Sequence, residues 1–177
     1  MSVIHSIVLS LGMARILGGI AGVARHWHHL KGTWFFLGWL ALLLSLHMGW
    51  WFGLWTRFYG IDEIALSTVF AWFLVPASFY VASQLLIPEF GDGSPPDLEQ
   101  RFADVRIPFF ACFAIAILPV LPTLSSTPGP QWLFPIFGGL AVSGMFVSRR
   151  GWHIAILGFM LAGYIVFLAV ARSSLSE

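Results

Sequence analysis

The sequence predicts an all-α, polytopic transmembrane helix bundle, and three observations support this fold class. Apolar residues make up 58% of the 177 residues and charged residues only 10%, whereas an ordinary soluble domain is about 25% charged. The apolar residues form long runs, and most of the charges fall in the short breaks between them. The runs are apolar at every position rather than at alternate positions, which argues against a transmembrane barrel.

Six apolar runs are candidates for membrane-spanning helices, which need about 20 residues each. We expect the six spans at about 3–24, 33–55, 64–87, 107–124, 132–147 and 152–171. The fifth run is short, and if 123–147 is a re-entrant segment instead, the topology of the last helix changes. The whole chain, 1–177, is predicted to be one transmembrane domain.

The long connection at 88–106 is predicted to be a cytoplasmic loop that carries a short interfacial helix. The segment 94–97 reads Ser-Pro-Pro-Asp, which is typical of a helix start with serine at the N-cap and proline in the first turn. After it, Leu98, Phe102 and Val105 recur at helical spacing. We therefore expect a surface helix here that leads into the fourth span.

Lysine and arginine predict the orientation of the bundle in the membrane. With the first connection in the cytoplasm, six basic residues lie on the cytoplasmic side, namely Arg25, Lys31, Arg101, Arg106, Arg149 and Arg150. Only Arg57 and Arg172 then lie outside. This bias predicts that both termini are outside the cytoplasm. The first run lacks the basic start of a signal peptide, so we interpret it as the first span.

The first span carries a stripe of small residues at intervals of four. The stripe contains Ser2, Ser6, Ser10, Ala14, Gly18 and Gly22. Small residues let two helix backbones approach closely in lipid, where no hydrophobic force drives helices together. We expect this face to pack against another helix, with a helix of the same chain favoured over a second subunit.

Arg15 lies near the middle of the first span, and no Asp or Glu lies inside any predicted span to pair with it. Its side chain should lean toward the outer side, since helical side chains point toward the helix N-terminus. One interpretation is a structural clamp held by hydroxyls and carbonyls, including the Trp72 carbonyl that Pro76 deprives of its helical donor. The other is a cavity for an anionic solute or a lipid headgroup. Four polar residues are predicted at a similar depth: Ser45, Ser78, Tyr80 and Tyr164.

The histidines raise a second hypothesis. His5 and His47 lie in the outer halves of their predicted helices, and His153 lies with several other histidines near the cytoplasmic face. Two such pairs at two depths could hold two b-type haems in a transmembrane electron carrier. His47 alone could serve a proton path. We nevertheless expect no cofactor, because the spacing is not specific.

The sequence offers no catalytic or nucleic-acid-binding constellation, so we predict that the protein is not an enzyme. It contains no His-Glu-x-x-His motif and no P-loop, and a Ser143–His153 dyad is the only conceivable nucleophile pair. Asp92 and Asp97 are expected to be solvated rather than to bind a metal. A net charge of +1 without a basic cluster argues against nucleic acid as a partner.

Several motifs in the first two-thirds of the chain carry a family resemblance. They are the run from Gly12 to Gly19, the basic loop after it, Trp50-Trp51, Pro76-x-x-x-Tyr80 and the exit at 85–88. In these motifs the chain resembles uncharacterised bacterial multi-spanning membrane proteins. The resemblance implies a bacterial inner membrane and implies no activity.

Together these observations predict a non-catalytic helix-bundle subunit of a homo- or hetero-oligomeric membrane assembly. Its expected partners are membrane lipids and other transmembrane helices. The alternative function is a small transporter or channel built around Arg15, Tyr80 and His47. The second alternative is the b-haem electron carrier.

Overall fold

The computed structural model describes residues 3–58, 65–90, 96–121 and 132–173, and within these ranges it contains helices and no strand. The helices are α1 Val3–His26, α2 Thr33–Phe58, α3 Leu66–Leu86, α4 Leu98–Ile117, α5 Leu133–Phe146 and α6 Arg150–Ser173. A 3-10 turn at Trp27–His29 joins α1 to α2. The predicted all-α fold is confirmed.

Within the described ranges, four helices are long and apolar enough to cross a membrane. Their candidate spanning segments are His5–His29, Thr33–Gly53, Thr68–Leu86 and Arg150–Val170. The fifth helix is also apolar but has only 14 residues, which is about 21 Å at 1.5 Å per residue. The chain therefore has the length and composition of a membrane protein with at least four spans.

Helix α2 occupies the centre of the bundle. It packs against α1, α3, α4 and α6, while α3, α4, α5 and α6 contact one another in succession around it. Trp39, in the second turn of α2, is completely buried. Five aromatic rings surround the Trp39 indole: Phe35, Phe102, Phe109, Phe110 and Phe113. Most of these contacts are edge-to-face, the arrangement that aromatic pairs prefer.

One end of the bundle collects the basic residues, and we call it the basic end. The α1–α2 connection lies there beside the starts of α4 and α6, because Glu99 contacts Gly32 and also forms an ion pair with Arg150 at 2.6 Å. The six residues that were predicted to be cytoplasmic all lie in or beside these segments: Arg25, Lys31, Arg101, Arg106, Arg149 and Arg150. Which side of a membrane this end faces stays a prediction.

The fourth helix differs from its prediction. Instead of a separate surface helix followed by a span at 107–124, the chain forms one continuous helix, α4, that passes through Pro108. Its N-cap is Asp97, whose carboxylate accepts the backbone N–H groups of Glu99 and Gln100 at 3.0 Å each; the predicted cap, Ser94, lies outside the described residues. The helix ends at Ile117: Leu118 keeps helical backbone angles but its N–H bonds to Ile115 three residues back, and Pro119 has no backbone N–H with which to continue the helix.

Candidate functional site

Arg15 connects α1 to the end of α3. Its Nη2 donates a hydrogen bond of 2.9 Å to the carbonyl oxygen of Ile87, which is the C-cap residue of α3. Carbonyls at the end of a helix have no helical donor, and a cation is favoured beside them by the helix dipole. Arg15 therefore links α1 to the end of α3 through a carbonyl, and we call this contact the Arg15 clamp.

The direction and the partner of this clamp differ from the prediction. The side chain of Ile87 packs over Gly19, one turn further along α1 than Arg15, so the guanidinium reaches toward the basic end and not toward the N-terminus of α1. The reason is that the end of α3 supplies an acceptor there. The predicted acceptor residue, Trp72, lies elsewhere, with its ring stacked on Trp50 at 5.1 Å.

The other residues that were predicted to surround Arg15 do not converge on it. Tyr164 of α6 donates its hydroxyl to the Ser45 carbonyl of α2 at 2.7 Å. Ser78 donates to the Leu74 carbonyl of its own helix at 2.7 Å, and Tyr80 is half-buried on α3. Among the described hydrogen bonds, none joins Arg15 to these four residues.

His47 lies on α2, and its side chain is completely buried against the neighbouring helices. Its Nδ1 lies 2.8 Å from the Leu43 carbonyl, and because a carbonyl only accepts, Nδ1 carries the proton. Nε2 is then an acceptor with no hydrogen-bond partner in the described part of the chain. It faces Gly12 of α1 so closely that a Cβ on Gly12 would overlap it. The absence of a side chain at Gly12 therefore allows α1 to pack closely against α2 at His47.

The two remaining histidine candidates lie at different helix pairs. His5 is buried on α1, with the ring of Phe73 edge-on at 5.5 Å. His153 of α6 is buried on Phe110, and its Nε2 donates to the Gly144 carbonyl in the last turn of α5 at 3.3 Å. Like Arg15, His153 therefore holds the carbonyl end of a neighbouring helix.

A Ser143–His153 dyad is not assembled. The Ser143 hydroxyl donates to the Leu140 carbonyl at 2.8 Å and accepts the indole N–H of Trp152 at 3.3 Å. The Nε2 of His153 is bonded to Gly144. Neither side chain is positioned for proton transfer to the other, which a nucleophile and its base require.

Neither His47 nor His153 is arranged as an axial haem ligand. An axial ligand needs a free ring nitrogen and open space beside it for the iron and the macrocycle. At His47 one nitrogen is bonded to Leu43 and the other is covered by Gly12, while Nε2 of His153 is bonded to Gly144. The described residues also contain no group of three His, Cys, Asp or Glu that could hold a metal ion.

The described part of the chain leaves most of the small-residue stripe of α1 open, and Ser2 of the stripe lies outside the described residues. Ser10, Ala14 and Gly18 are exposed, and nothing within the described residues lies within 4 Å of a Cβ placed on Gly18. Ser6 is half-buried, and only Gly22 is buried, under Phe90. We had favoured a partner helix of the same chain for this stripe. Among the described helices, none covers Ser10, Ala14 or Gly18.

Helix α1 packs through a neighbouring face that sequence reasoning missed. Its buried residues are His5, Leu9, Gly12, Ile16, Gly19 and Val23. They alternate spacings of four and three, which is the heptad pattern of a helix–helix seam. That spacing was readable in the sequence, but the more regular run of small residues masked it.

No protein-family model, no curated protein and no solved structure matches the chain.

Proposed function

We propose that the protein is a non-catalytic integral membrane subunit that assembles with another transmembrane helix through α1. The observation that carries this proposal is the open face formed by Ser10, Ala14 and Gly18, which we call the α1 small face. Leu11 and Leu17, 52% and 54% exposed, stand on either side of it. A floor of small residues between apolar walls is the shape that accepts a second helix in lipid.

The polar groups of the spans support a structural role. Arg15 and Tyr164 each donate to a backbone carbonyl of a neighbouring helix or its cap, and His47 and Ser78 bond to a carbonyl of their own helix, so these contacts do not form a shared polar site. A transporter or channel would instead gather such groups around one cavity near the bilayer midplane. The runner-up function centred on Arg15, Tyr80 and His47 is correspondingly less favoured.

We further propose that all six helices cross the membrane, with the basic end in the cytoplasm and both termini outside. The short α5 supports this topology because its Phe134 contacts Phe167 of α6 at 6.0 Å. Phe167 is three residues from the end of the α6 spanning segment at Val170, so the start of α5 lies near the opposite surface. The positive-inside rule then places the basic end in the cytoplasm, and the family resemblance favours a bacterial inner membrane.

Cysteine cross-linking in membranes tests the assembly. The lone Cys112 is buried, so a Cys112→Ala background allows single-cysteine variants. We expect Ala14→Cys and Gly18→Cys to form disulfide-linked species of higher mass on oxidation, because the α1 small face meets a partner there. A product of twice the chain mass identifies a second copy, whereas another mass identifies a different subunit that carries a cysteine.

The matched control for this experiment is Ala41→Cys on α2. Since Gly12 of α1 meets His47 of α2 and the two helices are antiparallel, Gly18 and Ala41 lie at about the same depth, and both are exposed. We expect little cross-linking at Ala41. Equal cross-linking at both positions, or none at either α1 position, would contradict assembly through the α1 small face with a second copy or with a subunit that carries a cysteine.

A further inference from the structure

A pocket of about 310 Å³ opens at the basic end, beside the ion pair of Arg150 with Glu99. It lies between the α1–α2 connection and the start of α6. Its lining residues are Trp27, Leu30, Gly32, Thr33, Trp34, Phe35 and Arg150. Three aromatic rings and one guanidinium therefore face the same space.

The aromatic residues place this pocket at the level of the membrane interface. Trp27 and Trp34 meet edge-to-face at 5.0 Å, and Trp34 is 77% exposed. Both residues lie at the point where the α2 spanning segment begins, at Thr33. Tryptophan prefers the headgroup level of a bilayer, where one part of the ring is in an apolar environment and the other is hydrated. The pocket is thus positioned where lipid headgroups and the first acyl carbons lie.

The charges around the pocket favour an anion. Nη1 of Arg150 forms an ion pair with Glu99, which holds the guanidinium in place and leaves other N–H donors of the fork available. Lys31 is exposed between two lining residues, Leu30 and Gly32. Lys31 and Arg150 against the one carboxylate of Glu99 give this rim an excess of positive charge.

We propose that this pocket binds the phosphate group of an anionic phospholipid. Arg150 and Lys31 contact the phosphate, and Trp27 and Trp34 pack against the glycerol and the first acyl carbons. The apolar walls distinguish this site from one for free phosphate, which needs polar donors on most sides. Glu99 is a positioning residue, since it acts on the lipid through Arg150.

Native mass spectrometry of the delipidated protein, titrated with phosphatidylglycerol, tests the proposal. We expect Arg150→Ala to weaken the tightest phosphatidylglycerol binding about fivefold, the effect of one basic residue near an anionic lipid. Arg149→Ala removes the same charge one residue away, outside the pocket lining, and should weaken this binding less than twofold. Phosphatidylcholine binding should be weaker in the parent protein and insensitive to both changes.

Two further variants separate lipid binding from loss of the ion pair. Glu99→Gln breaks the ion pair but keeps Arg150, and should leave phosphatidylglycerol bound at least half as tightly. Trp34→Ala removes an exposed ring without changing a charge, and it should also weaken phosphatidylglycerol binding. The proposal can therefore be tested with this variant even if the Arg150→Ala protein does not fold. Equal effects of Arg149→Ala and Arg150→Ala would overturn the proposal. So would equal binding of the two lipids, or displacement of the lipid by millimolar inorganic phosphate.

Discussion

Replacing Gly12 with valine should destabilise the protein more than any other change on α1. The new Cβ would overlap Nε2 of His47, which is completely buried and already bonded to its own helix through Nδ1. Neither the ring nor the α1 backbone can move without separating α1 from α2. We expect the free energy of unfolding to fall by about 3 kcal/mol, at the upper end of the range for overpacked cores. Unfolding in mixed micelles with increasing sodium dodecyl sulfate measures this quantity.

The control for this prediction is Gly18→Val on the same helix. Gly18 is exposed, and no atom of the described residues lies near a Cβ placed on it, so in the monomeric protein, where no second helix covers the α1 small face, the change should cost less than about 0.5 kcal/mol. A second variant, Gly12→Val combined with His47→Ala, removes the overlapping ring and should recover part of the loss. Equal stability of Gly12→Val and Gly18→Val would contradict the close α1–α2 contact.

Trp39→Ala should be the most damaging truncation in the core. The indole is completely buried at the centre of the aromatic cluster, in contact with rings from α2 and α4. Its removal should cost about 3–5 kcal/mol, as large-to-small changes of buried aromatic residues do. The near-ultraviolet circular dichroism of the cluster should weaken in parallel. The exposed Trp34 is the matched control, and a loss of stability for Trp34→Ala equal to that for Trp39→Ala would contradict a core centred on α2.

Much of the fold could be predicted from hydropathy because a long apolar run has few alternatives to a helix in lipid. The runs at 3–24 and 33–55 lie within α1 and α2. The fourth helix could not be placed in this way. Its first two turns are amphipathic, so they were interpreted as a separate surface helix. In the structure Leu98 and Phe102 are buried against the bundle, and these turns are the start of the continuous helix α4. Hydropathy averages over a window and does not report which face a charged helix buries.

The site was less predictable, because its contacts depend on how neighbouring helices are placed along one another. That Arg15 needs a carbonyl followed from the absence of any carboxylate inside the spans. That the carbonyl belongs to Ile87 depends on how far α3 extends beside α1, as the packing of Ile87 over Gly19 shows. No residue pattern within either helix encodes this offset. The pairing of Tyr164 with Ser45 depends on the placement of α6 against α2 in the same way.

Arg15 joins α1 to the end of α3, and a spin-label distance measurement tests this clamp most directly. Labels at Leu17→Cys and Val81→Cys, in the Cys112→Ala background, occupy exposed positions on the two helices. With Arg15 present, double electron–electron resonance should give one narrow distance distribution. With Arg15→Ala, the distribution should become longer and broader, because the bond to the end of α3 is lost. An unchanged distribution in the Arg15→Ala protein would contradict the clamp.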